Sequence, residues 1–150
     1  MNEEAFIEEL RDRSHDLSQV LALTLHHFRA DTGTIHELGS GDLLHLKTWS
    51  GSIPEQVLAV IQTIPVGKGI AGLAVERKEP VNLCNLQSDA SGAASPQARD
   101  AGVKGSICVP MMSGERAVGA LGIATAAERE FSVEEVALLL EVGRVLAKRG

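Results

Sequence analysis

The stretch Ile64–Asn85, IPVGKGIAGLAVERKEPVNLCN, decides how the rest of the chain is read. Gly67 and Gly69 flank Lys68 and open directly into an apolar helical pattern. Ile70, Leu73 and Ala74 fall on one face, Glu76, Arg77 and Lys78 close the last turn, and Pro80 stops it. Val81, Leu83 and Cys84 then predict a short, largely buried strand. The first helical turn, Gly69 to Gly72, carries little bulk, and its leading backbone N–H groups lack intrahelical partners. Such an end can approach a ligand closely and attract an anion. The competing structural reading has Gly72 packing tightly against a sheet.

Upstream, apolar residues Phe6, Leu10, Leu17, Val20, Leu21, Leu25 and Phe28 recur at three- and four-residue steps. They predict one amphipathic helix from Asn2 to about Arg29, stopped by Asp31-Thr32-Gly33. Thr34–Leu38 and Leu43–Ser50 read as a hairpin joined by Gly39-Ser40-Gly41-Asp42. On the second strand Leu44, Leu46 and Thr48 share one face, while His45, Lys47 and Trp49 share the other. Ser52-Ile53-Pro54-Glu55 has the form of a capping box, with a short helix following to about Gln62.

Downstream, Gln87–Gly102 is the least core-like segment, with one or two helical turns expected after Ser95-Pro96. A long polar connection of this kind is a candidate lid. Ser106–Met112 and Ala117–Thr125 form a second hairpin around Ser113-Gly114-Glu115, and Pro110 implies a bulge or an edge position. Ser132 and Glu135 complete a capping box, with Phe131 and Val136 as the hydrophobic staple. The helix from Val133 to Lys148 carries two apolar stripes: Val136, Leu140, Gly143 and Ala147, and Leu138, Leu139, Val142 and Leu146. One stripe can cover the sheet; the other calls for the N-terminal helix or a second subunit. The order of elements predicts α+β, a central antiparallel sheet with the terminal helices packed together on one face.

A chain of 150 residues suits a single domain with a hydrophobic core. Its net charge of −6 and lack of a basic patch argue against a nucleic-acid surface. No apolar run reaches a membrane span, and the acidic, amphipathic N-terminus is unlike a signal peptide, so a cytoplasmic location is expected. Cys84 and Cys108, both in apolar strand-like runs, read as reduced core cysteines. Aromatic residues are only 3%, which leaves Trp49 as the main stacking candidate.

The segments IPVGKGIAGLAVERKEPVNLCNL, GVKGSICVPMM, GERAVGALGIAT and FSVEEVALLLEVGRVLA, in this order and spacing, resemble a GAF domain, a small-molecule sensing module of signalling proteins. The resemblance spans about Leu17 to Ala147 and is to a stand-alone protein of bacterial type. It implies a GAF/PAS-like sheet of about five or six antiparallel strands over residues 1–150. It also implies a pocket between that sheet and the segments Gly69–Val75 and Asn85–Val103, and dimerisation through the terminal helices (residues 1–30 and 131–148).

The family's functions differ, and each leaves its own residues. The Asn-Lys-Phe…Asp-Glu pattern of cyclic-nucleotide-binding members is missing, and neither cysteine is followed by the histidine of bilin carriers. A haem ligand is not expected, since His15, His26, His27, His36 and His45 all precede the pocket segments. Free methionine-(R)-sulfoxide reductases resemble this chain in size. They place one cysteine where Ala71 stands and another in the loop before the final hairpin, where this chain has none between Asn85 and Ile107.

The expectation is therefore a non-enzymatic module, with no assigned cofactor or metal, that binds a small molecule or relays a signal to a partner protein. Gly69, Ile70 and Ala71 would supply backbone donors, and Trp49 an apolar wall. Asn85, Asp89, Arg99 and Asp100 would reach in from the lid, and Ser106 and Cys108 would line the floor. Arg99 would suit an anionic group. A dimerisation scaffold with an occluded pocket and a reductase-like enzyme stand as the alternatives.

Overall fold

A computed structural model describes residues 2–83 and 103–148. The expected long first helix is two: α1 (Glu3–Asp12) and α2 (Leu17–Phe28). The polar run Arg13-Ser14-His15-Asp16 breaks it, because Asp16 accepts the Gln19 N–H and so begins a new helix as its N-cap. Apolar periodicity continues across this break and conceals it. Phe6, Ile7 and Leu10 of α1 and Val20, Leu21, Leu25 and Phe28 of α2 still enter one core.

Next come β1 (Thr32–Leu38), β2 (Leu43–Ser50), α3 (Glu55–Ile61), β3 (Thr63–Pro65) and α4 (Gly69–Arg77). They are followed by β4 (Val81–Leu83), β5 (Gly105–Ser113), β6 (Arg116–Thr125) and α5 (Val133–Lys148). The six strands form one antiparallel sheet ordered β3-β2-β1-β6-β5-β4. The α+β architecture and the strand number agree with the sequence reading. Among the described residues no helix is long and apolar enough to cross a membrane.

Three local details depart from expectation. The Ser52–Glu55 capping box does not form: Pro54 is the N-cap of α3 and no side chain bonds that end. Thr63–Pro65, where no strand was expected, is an edge strand paired with Leu43–His45. A bulge between Ile35 and His36 pairs Ile35 with Thr48 but His36 with Leu46, which reverses the alternation of β2 at Lys47. Leu44 accordingly joins the α4 side, whereas Thr48 turns to α2, where its hydroxyl meets that of Ser18 at 3.0 Å.

Pro110 is tolerated because β4 pairs only with Ser106–Cys108, so β5 is an edge from Val109 onward on that side; a register shift also follows at Met111. The capping box of α5 forms as expected, with the Glu135 N–H on Ser132 Oγ at 3.1 Å and the Ser132 N–H on Glu135 Oε1 at 2.9 Å. Arg129 bonds that same carboxylate and the Phe28 carbonyl, tying the start of α5 to the end of α2.

Helices α1, α2 and α5 pack on one sheet face over Ile35, Ile107, Val109, Leu121 and Ile123. On α5, Leu138, Leu139, Val142 and Leu146 are buried, Gly143 lies on the backbone of Pro110 and Met111, and Val136, Leu140 and Ala147 are partly buried against the same core. Contact with both β5 and α1 covers the two stripes within the chain. The opposite face carries α4 and a smaller core of Leu44, Ala74, Val75, Val81, Cys108, Ala117 and Ala120.

Candidate functional site

The start of α4 is shaped by backbone requirements. Gly67 and Gly69 sit at φ of 91° and 64°, a region that side chains disfavour, which explains glycine on either side of Lys68. The Gly67 N–H bonds the Gly72 carbonyl at 2.9 Å, and the Gly72 N–H makes the first helical bond, to the Lys68 carbonyl at 3.0 Å. A Cβ on Gly72 would stand 2.5 Å from the Pro65 oxygen. Gly72 therefore packs tightly against the end of an edge strand, and the residues before it are free to do something else. Gly69, Ile70 and Ala71 roof a cavity.

That cavity exists because of β6. Its α4-facing positions, Ala120, Gly122 and Ala124, are all small, whereas Leu121 and Ile123 point to the helical core. Thr34, Gly122, Cys108 and Val81 are successive cross-strand partners, so the row across the sheet has no side chain at Gly122. A Cβ built there would lie 3.4 Å from Thr34 Oγ1 and 3.6 Å from Cys108 Sγ, in ordinary contact. Above the row is a hollow of about 320 Å³. Ile53, Val57, Val60 and Ile61 from α3 and its approach form an apolar wall, and Val103 closes another side.

Five of the expected site residues meet in this lining: Gly69, Ile70, Ala71, Ser106 and Cys108. Trp49 does not. It pairs with Thr34 but lies beyond the reach of the short β3, which stops at the partner of His45, and it stays 48% exposed outside the cavity. Asn85, Asp89, Arg99 and Asp100 lie outside the described residues, as do Cys84 and the expected lid.

The sequence reading missed Thr34, Lys68, the α3 wall and above all His36, which lines the cavity although it precedes the pocket segments in the chain. The pairing of β1 with β6, His36 opposite Ala120, carries it there. The sequence signal for the hollow, which that reading also missed, is the small-large alternation of Ala120-Leu121-Gly122-Ile123-Ala124.

His36 is 2% exposed, and its Nε2 is 2.8 Å from the Ile61 carbonyl. Burial lowers its pKa, the bond to Ile61 opposes that, and nearby His45 adds to it, so the ring is neutral at neutral pH. Cys108 is also buried, which pushes its thiol up to about 12 and leaves almost no thiolate. Lys68, Thr34, Ser106 and His36 are polar residues of a wall that is otherwise mostly apolar.

The family described as GAF domain matches residues 14–148. No curated protein matches the chain. Among solved structures, the GAF domain of a phosphoenolpyruvate-protein phosphotransferase from Coxiella burnetii superposes with a TM-score of 0.82 at 19% identity, over 99% of this chain and 92% of that one. The reduced form of fRMsr of Staphylococcus aureus gives 0.76 at 20% identity, covering 99% and 94%. Free methionine-R-sulfoxide reductase from Neisseria meningitidis, in complex with its substrate, gives 0.74 at 18% identity, covering 98% and 87%. At these identities the likeness is one of fold, which enzymes and other proteins of the set share.

Proposed function

The chain belongs to the GAF domain family, and on that premise we propose that it is a non-enzymatic module that binds a small molecule beneath α4 and relays the event to a partner protein. The cavity of about 320 Å³ between Gly69–Ala71 and the β5–β6 floor carries this reading, since an occluded scaffold would have filled it. Two kinds of contact are on offer. Lys68 and the leading N–H groups of α4 favour an anionic or carbonyl group at the roof, and the aliphatic wall of α3 favours an apolar body.

A reductase would need an accessible thiolate, and Cys108, the cysteine that lines the cavity among the described residues, is held protonated by burial. Alanine at position 71 leaves the roof without a thiol. Native mass spectrometry of the purified protein should show a retained small molecule, or uptake of one from a metabolite extract. Oxidation of NADPH on free methionine sulfoxide, coupled through thioredoxin, should not exceed the no-enzyme rate. Turnover above that rate would replace the sensor reading with the reductase one.

Relay through a homodimer of the terminal helices is a separate proposal. Because α1 already covers much of α5, sedimentation equilibrium should find a dimer only if surface beyond those stripes takes part.

A further inference from the structure

His36 caps the C-terminal end of α3. Its Nε2 lies 2.8 Å from the carbonyl of Ile61, the last residue of that helix, and this carbonyl has no intrahelical partner. A carbonyl only accepts, so Nε2 carries the proton and Nδ1 is a bare lone pair. Nδ1 is out of reach of water and, among the described residues, has no hydrogen-bond partner. A second proton can therefore enter the ring only at a nitrogen sealed away from any acceptor.

The charge it brings would be stranded as well. Among the described residues the cavity wall holds no carboxylate, and Lys68 is its cation. Glu37 alternates to the other face of β1, where Lys47 of β2 lies 4.0 Å from it. Glu55 is at the far end of α3, Glu76 of α4 lies against Gly67, and the β6 partner is Ala120. His45 of β2 adds repulsion. The bond to Ile61 favours a charged ring, but burial outweighs it.

The wall that His36 holds is thinly attached. Helix α3 has seven residues, of which Val57 is the buried one, and no side chain caps its first turn. Val60 is half exposed. The other end is fixed by His36 on Ile61 and by the Leu46 N–H on the Gln62 carbonyl at 3.0 Å.

We propose that His36 is an acid-released latch on the α3 wall: the neutral ring holds Ile61 and keeps the wall in place, whereas a protonated ring leaves its niche, frees the end of α3 and weakens binding in the cavity. The effect on binding rests on the reading of the cavity as a ligand site; the latch itself needs no ligand. The latch is fast above the ordinary histidine value of about 6.5. Between that value and the lower pKa of the held ring, each pH unit raises the ratio of released to held by up to about tenfold.

Hydrogen exchange of the ligand-free protein tests this. From pH 7.5 to 5, the amides of residues 58–62 and of Leu46, corrected for intrinsic rate, should lose protection by up to about tenfold per pH unit, while those of β5 and β6 keep theirs. His36→Gln retains a donor for Ile61 and does not titrate, so its α3 protection should be the same at both pH values. Where that variant does not fold, 15N-labelled histidine in the wild type answers instead: His36 should titrate over the range in which α3 protection is lost. Protection of α3 that ignores pH, falls together with β5 and β6, or survives titration of His36 overturns the latch and leaves the cavity reading intact. Indole, a compact apolar probe, should bind the wild type less tightly at pH 5 than at 7.5, and His36→Gln equally at both. Equal binding to the wild type above a released α3 overturns the coupling to the site. Indole that binds at neither pH speaks against the cavity reading and leaves the latch to the exchange data.

Discussion

The two faces of the sheet are built from the same strands and yet reach opposite ends. On the helical face, successive partners Ile35, Leu121 and Val109 are completely buried under α1, α2 and α5. One residue along each strand, the row Thr34, Gly122 and Cys108 lines the hollow on the α4 side. Both faces are apolar, so hydropathy alone does not separate them. Side-chain volume does. Large branched residues interdigitate with three helices, whereas Gly122 and Ala124 leave a hollow under the first turn of α4, and Ala74 and Val75 further along the helix share the smaller core with Ala120 and Cys108. Stability is thereby concentrated on one face and room for a ligand on the other.

Neighbouring positions on β6 test that division. Leu121→Ala opens a void where the helices cannot close in, and should cost about 2–5 kcal/mol in urea denaturation. A loss below about 1 kcal/mol would mean that the helical face is loosely packed and the contrast is false.

His36 should produce a smaller effect that depends on pH. Its folded pKa is depressed by burial, so below the unfolded value of about 6.5 the unfolded chain takes up the proton first. Its contribution is fully present above that value and is lost as pH falls through the folded pKa, with a slope of at most about 1.4 kcal/mol per pH unit. His27, also depressed mainly by burial, adds a slope of the same sign. Wild type and His36→Gln, melted from pH 7.5 to 5, should therefore differ in slope, the variant being the flatter. Parallel curves would show that the buried ring is not neutral.

The smallest effect should be of opposite sign. Gly122→Ala adds a methyl group in ordinary contact with Thr34 and Cys108 while reducing the freedom of the unfolded chain, and should stabilise by about 0.4–1 kcal/mol. The same methyl enters the hollow and should weaken whatever binds there. Stabilisation without loss of binding would place the ligand away from the β6 floor.

Elements that depend on near neighbours in the chain were legible. The α5 capping box, the Gly67–Gly69 turn into α4 and the β5–β6 hairpin each follow from residues within a few positions of one another. The helix break at Asp16 was legible in principle, since Asp16-Leu17-Ser18-Gln19 has a capping pattern, but continuous apolar spacing outweighed it. The strand β3 and the bulge beside His36 were not, because three residues of edge strand and a one-residue slip are stabilised by the partner strand and leave no periodicity of their own.

By itself the sequence determined the fold class, the family and the roof of the site, because local turn chemistry and hydrophobic period constrain backbone wherever the chain is placed. Only the tertiary structure decided what faces the hollow. It brought His36 in and left Trp49 out through strand pairing, and it turned a run of small residues on β6 into a cavity by holding α4 above them. Empty volume is a property of how far apart packed elements stand, and no single stretch of chain encodes that distance.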